Sequence, residues 1–136
     1  MYPKIYAEMH LVFNNNYNVS VISKETGIKP YSCQRMFETR INALTQEHNP
    51  GFWTVRSDTF TEYDVKIVLD NLISKVKGKL SQIKKICIEN NGMVFFDIVP
   101  TFLPNGVPAI YFDRDFLDIV DFLDAEIQID MYIDDE

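Results

Sequence analysis

The sequence predicts an α/β (α+β) two-layer sandwich, a mixed sheet of about five strands with helices packed on it. Three observations carry this expectation. Ile5 to Phe13 and Glu126 to Ile133 alternate apolar and polar residues, as half-buried strands do. Between them Val65, Leu69, Leu72, Val76, Leu80, Ile83 and Cys87 recur at steps of three or four, the stripe of an amphipathic helix. Strand-like and helix-like segments interleave along the 136 residues, a length that suits one domain spanning 1–136.

The elements follow in order. In the opening strand Ile5, Ala7, Met9, Leu11 and Phe13 share one face, while Tyr6, Glu8, His10 and Val12 share the other. Asn14-Asn15-Asn16 is a turn cluster. Asn18 suits the cap of a short helix over Val19 to Thr26, with Gly27 as its stop and Lys29-Pro30 forbidding continuation. Tyr31 to His48 is either loop or a second helix, because Cys33, Met36, Phe37, Ile41 and Leu44 recur near helical spacing. Asn49-Pro50-Gly51 ends it, and Phe52 to Ser57 reads as a short strand containing Trp53.

The apolar stripe predicts one long helix from about Asp64 to Asn90, with Thr61 and Asp64 at capping spacing. Gly78 weakens its middle by about 1 kcal/mol relative to alanine and is the place for a kink. Met93 to Val99 and Ala109 to Phe112 are rich in β-branched and aromatic residues, with Leu103-Pro104-Asn105-Gly106 between them, so a hairpin is expected. Asp113 suits the cap of a helix from Arg114 to Asp124 with Phe116, Ile119, Val120 and Leu123 inward. The last strand should point Ile127, Ile129, Met131 and Ile133 inward. The β-α opening (7–28) and the β-α-β close (109–133) share a loose pattern, which suggests a ferredoxin-like or pseudo-twofold arrangement.

Composition excludes several classes. Apolar residues at 46% and only five Gly and six Pro rule out a disordered, collagenous or low-complexity chain. The net charge of −7 is uneven: residues 1–91 hold 12 basic against 9 acidic side chains, while 92–136 hold Arg114 against 11 acids. So acidic a chain is a poor duplex binder, and no nucleic-acid partner is expected. The acidic half could instead dock a basic protein. Cys33 and Cys87 form no CxxC or Cys/His pattern and suit buried thiols in a reducing compartment. Residues 1–13 show no apolar leader core, and 93–112 is broken by Asp97 and three prolines, so the expectation is a cytoplasmic protein with no membrane partner.

Chemical motifs are sparse. Walker, GxGxxG, HExxH and GxSxG patterns are all missing. His10 and His48 sit in different elements, and a metal site would need one of them plus distant carboxylates, so no metal or cofactor is assigned. Asp113-x-Asp115 opens like a calcium loop but fails at Leu117 and Asp118, where an oxygen donor and a glycine belong. Asp118, Asp121 and Asp124 recur at a step of three on the outer helix face and are the candidate docking residues for a basic partner. Asp97 interrupts an apolar strand between Phe96 and Ile98, where a carboxylate needs a partner or a pocket. With Trp53 it makes the candidate ligand pocket. No nucleophile–base pair can be assembled from spacing, so no catalytic residue is named.

Several pieces together resemble a bacterial family known only as domain of unknown function 4279. They are the Ile5-Tyr6-Ala7-Glu8 strand, the Thr26-Gly27-Ile28-Lys29-Pro30 turn, Trp53 before the long helix, and the closing run Phe122 to Tyr132. The family usually ends in a helix, a Gly-Ala or Ala turn and a strand reading Ile-Asp-x-Asp-x-Tyr. Here Asp124-Ala125 stands at the turn and Gln128 replaces one acid. The resemblance spans nearly the whole chain and implies a small bacterial cytosolic α/β protein, with no catalytic residues to carry over.

Three functions are therefore expected in order. The first is a non-enzymatic interaction protein, an immunity- or antitoxin-like partner acting through its acidic C-terminal half. The alternative is a small-ligand-binding domain with its pocket near Trp53 and Asp97. The third is an enzyme with a dispersed site.

Overall fold

The computed structural model describes residues 3–62, 64–106 and 109–134. Its axis is β1 (Lys4–Phe13), whose strict alternation sends Ile5, Ala7, Met9, Leu11 and Phe13 into full burial on one face. β3 (Gly51–Arg56) and β4 (Gly92–Phe102) flank it, both antiparallel, with Leu11 opposite Trp53 on one side and Val94 on the other. The short β2 (Ser32–Gln34) extends the sheet beyond β3. On the far edge β5 (Glu126–Ile129) and β6 (Tyr132–Ile133) both run parallel to β4. The order is β2-β3-β1-β4-β5, with β6 also on β4.

β1-α1-β2 and β3-α2-α3-β4 are two split β-α-β units, each with an antiparallel strand between its parallel pair, so the core has ferredoxin-like order. The related halves are not those the sequence suggests: the second begins at β3, and the closing α4-β5-β6 is an addition on the β4 edge. The helices pack on the β1 face that carries Ile5 to Phe13, around a core that includes Ile22, Trp53, Leu72, Ile83, Phe96 and Phe116. Among the described residues no helix packs on the other sheet face.

α1 (Ser20–Thr26) starts where Asn18 Oδ1 accepts from the Ser20 amide and hydroxyl, and stops at Gly27, whose φ of 74° is the left-handed turn that glycine tolerates. The expected long helix is two helices. α2 (Val65–Val76) is capped by Asp64, which accepts from the Lys66 amide at 3.0 Å, and α3 is Leu80–Glu89. Gly78, at φ 82°, breaks the chain between them. The reason is packing: α2 covers β1 and β3, whereas α3 packs on β4 and α1. The periodic stripe continues across the break because each half keeps its own buried face.

The helix weighed for 31–48 does not form. Ser32–Gln34 pairs with β3, Met36–Glu38 makes one 3-10 turn, and Phe37, Ile41 and Leu44 stay exposed, so no apolar stripe is buried there. The expected hairpin is also corrected. β4 runs on to Phe102, the turn closes through the Gly106 amide and the Leu103 carbonyl, and Ala109 to Phe112 is irregular; Val107 and Pro108 lie outside the described residues. The place beside β4 is taken by β5 and β6, which arrive through α4 (Arg114–Phe122) as a parallel crossover. Asp113 caps α4 as expected, accepting from the Phe116 amide at 2.9 Å. Of the residues expected inward in the last strand, only Ile127 is half-buried; Ile129, Met131 and Ile133 lie on an edge beyond the helices and are exposed.

Gly78 distinguishes the two helix descriptions. In a continuous helix Gly78→Ala would gain about 1 kcal/mol. At φ 82°, with open space around the added methyl, the substitution should instead lose about 1–2 kcal/mol, read by urea unfolding.

Candidate functional site

The pairing register builds the site before any side chain is considered. On the helix-free face, Glu8 of β1 stands opposite Arg56 of β3 on one side and Asp97 of β4 on the other. Asp97 in turn faces Gln128 of β5. In the next row Thr54 and Phe95 flank His10, and Ser32 lies beyond Thr54. Directly opposed side chains approach to about 5 Å at Cβ, so two rows of polar residues meet across the central strands.

The contacts are specific. Arg56 Nε donates to Glu8 Oε2 at 2.9 Å, and its guanidinium lies 4.3 Å from the Tyr6 ring and 3.7 Å from the Tyr31 ring. His10 Nδ1 hydrogen-bonds with Thr54 Oγ1 at 2.8 Å, and its Nε2 faces Glu8 Oε1 at 3.5 Å and Asp97 Oδ2 at 3.9 Å. When the Thr54 hydroxyl donates to Nδ1, Nε2–H points at both carboxyls; when Nδ1–H donates to Thr54, Nε2 offers its lone pair on that side. Asp97 is only 8% exposed, and its Oδ1 has no hydrogen-bond partner among the described residues. Beside this cluster a shallow concavity of about 390 Å³ is lined by residues that include His10, Tyr31, Phe52, Thr54 and Arg56.

Electrostatics follow from the same geometry. Burial pushes the Asp97 carboxyl up to about 7, reinforced by a side-chain hydrogen bond shared with Asp130 and by the charges of Asp130 and Glu8. Burial lowers His10, and Arg56 adds to this, while Glu8 and Asp130 oppose it. Burial thus favours the uncharged form of both His10 and Asp97, beside the Glu8–Arg56 ion pair.

The two residues named for a ligand pocket are not brought together. Trp53 is fully buried on the helix side, where its Nε1 donates to Ser23 Oγ at 2.9 Å; Asp97 is on the opposite face. Asp118, Asp121 and Asp124 are exposed along α4 and just after it, in the helix layer. Asp124 takes φ 51°, the left-handed conformation for which a glycine at that turn is suited. Glu8, His10, Thr54, Arg56 and Asp130 were missed as site residues. The alternation of β1 puts Glu8 and His10 on one face, which is the one signal that pointed to them; their meeting with Asp97 depends on strand pairing. A second cleft of about 380 Å³, between α2 and α4, is mostly apolar and holds no comparable cluster.

Fold and site together define an α+β domain of ferredoxin-like order with an ionisable open sheet face. The chain belongs to the family described as Domain of unknown function (DUF4279), whose model matches residues 3–134. No curated protein and no solved structure matches it. No helix among the described residues is long and apolar enough to cross a membrane.

The shifted groups predict opposite pH slopes. Asp97 keeps in the folded state a proton that the unfolded chain loses near pH 4, so its contribution to stability falls as pH rises from about 4 to about 7 and then levels. His10, with its pKa lowered, makes stability fall as pH drops below about 6.5. Asp97→Asn should remove the first slope and leave the second. Relative to the parent it should be about 1–3 kcal/mol more stable at pH 8 than at pH 4, measured by denaturant unfolding across pH.

Proposed function

We propose that the chain is a ligand-binding domain whose site is the open sheet face around Asp97, and that its ligand offers hydrogen-bond donors or positive charge to Asp97, Glu8 and His10. The observation that carries this reading is the gathering of Glu8, His10 and Asp97 on the open face, with the buried Oδ1 of Asp97 accepting from no donor among the described residues. Leaving a buried acceptor unsatisfied costs about 1–3 kcal/mol, and a bound ion or polar ligand group is one way such a group is satisfied. Shifted ionisable groups gathered in one place point the same way. Arg56, held between two tyrosine rings, engages Glu8 Oε2 and leaves Oε1 turned toward His10. The concavity beside this cluster, lined by Glu8 and His10 though not by Asp97, is of the size that small molecules occupy.

The test is an amide NMR titration with a panel of polyamines, amino acids, nucleosides and sugars. A ligand should move resonances in 6–12, 52–56 and 95–99, and Asp97→Asn should weaken it by about tenfold or more. A panel that moves nothing on this face removes the reading.

A second reading keeps the acidic surface. Asp118, Asp121 and Asp124 are exposed on the outer side of α4 and make no ion pair among the described residues, which suits docking of a basic protein by an immunity-like bacterial partner. Changing all three to lysine should slow association with a captured basic partner by about tenfold at low salt, read by surface plasmon resonance. Unchanged association would exclude this face.

A further inference from the structure

We propose that Glu8, His10 and Asp97 form a binding site for a divalent transition-metal ion, with solvent or ligand completing its shell. The proposal rests on the reading of the open face as a ligand site and names the chemistry of what binds there.

Geometry is the first support. One ligand atom from each of the three residues lies within 4.8 Å of the others, and the His10 Nε2 distances to the two carboxylates are 3.5 and 3.9 Å. A tetrahedral ion with bonds of about 2.0–2.2 Å has ligand–ligand edges of about 3.4 Å. Small side-chain movements close that gap. The backbone need not move, since all three ligands stand on the paired strands β1 and β4.

The surroundings supply what metal ligands need around them. Thr54 engages Nδ1 of His10, which fixes the ring and leaves Nε2 for the metal. Arg56 holds the second oxygen of Glu8. The Asp97 oxygen that faces His10 is Oδ2, at 3.9 Å, and Oδ1 of the same buried carboxyl accepts from no donor among the described residues. Asp130 adds a further carboxyl beside Asp97, so two more acids stand beside the Glu8–Arg56 ion pair, and a cation is the ligand that this balance favours.

The donor set selects the class of ion. One imidazole with two carboxylates suits zinc, manganese, iron or nickel; an all-oxygen set would suit magnesium or calcium, and thiolates would suit softer ions. Only these three residues group as ligands among the described residues, so at least one position is left for solvent or ligand, and the concavity lined by Glu8 and His10 lies beside it.

The test uses tag-free, chelator-treated full-length protein titrated with Zn²⁺ by calorimetry, with Co²⁺ as a spectroscopic replacement. The expected result is one site per chain, visible Co²⁺ bands without thiolate character, and affinity lowered about tenfold or more in His10→Gln, Asp97→Asn and Glu8→Gln. His48→Gln and Cys33→Ser should bind as the parent does. Thermal unfolding of each variant without metal checks that it is folded, and the three substitutions report independently of one another. Absence of Zn²⁺ binding, binding that follows His48 or Cys33, or a response to Mg²⁺ or Ca²⁺ alone would overturn the proposal. Organic ligands moving the open-face resonances without any metal effect would sink the metal and keep the face; silence to both would sink both.

Discussion

Everything in this molecule depends on the double pairing of β1. It is bonded along its length to β4 and along its second half to β3, and its five odd-numbered apolar residues are sealed against the helices. The side-chain period of a strand is two, so this burial fixes the opposite face as well. A slip of one residue would drive Glu8 and His10 into the core and turn Met9 and Leu11 to solvent. The ion-pair row and the hydrophobic core are therefore two sides of one register.

The connections explain why one face stays bare. Each crossover between parallel strands carries its helix to the same side, as the handedness of such connections requires. α2 and α3 share a crossover, and the left-handed turn at Gly78 lets each lie over its own strands. α4 then joins the same layer, with Phe116 packing edge-on against Phe96 at 5.0 Å. A sheet covered on one face alone must keep the other compatible with water. Here that requirement is met by charged and hydroxyl groups bonded to one another, with Arg56 braced between aromatic rings. At Asp97 the carboxyl is held against Asp130, and its Oδ1 accepts from no donor among the described residues.

Local pattern was a good guide wherever an element's own burial determines it. The faces of β1, the Gly27 stop, the caps at Asp64 and Asp113 and the inward side of α4 all follow from residues within one or two turns of each other. It failed where partners compete. Residues 31–48 have helix-like spacing but no apolar surface to receive them, and β3 claims three of them as an edge strand. Residues 109–112 have strand composition, but β5 and β6 occupy the edge they would need. The site divides the same way. Asp97 stands out as a charge in an apolar strand, and Glu8 and His10 share a polar face, yet nothing local says that these two strands are neighbours. Trp53 and Asp97 fall on opposite faces for the same reason, since each strand's phase is set by its own pairing.

By itself the sequence determined the layer architecture, the apolar faces of β1 and of the helices, and the acidic bias of residues 92–136. These depend on periodicity, which local geometry alone imposes. The tertiary structure decided which strands are neighbours, where the long helix breaks, and that Glu8, His10, Asp97 and Arg56 converge. Residues as far apart as 8, 56 and 97 become neighbours only when burial of the opposite face sets the register between strands, and that register belongs to the sheet as a whole.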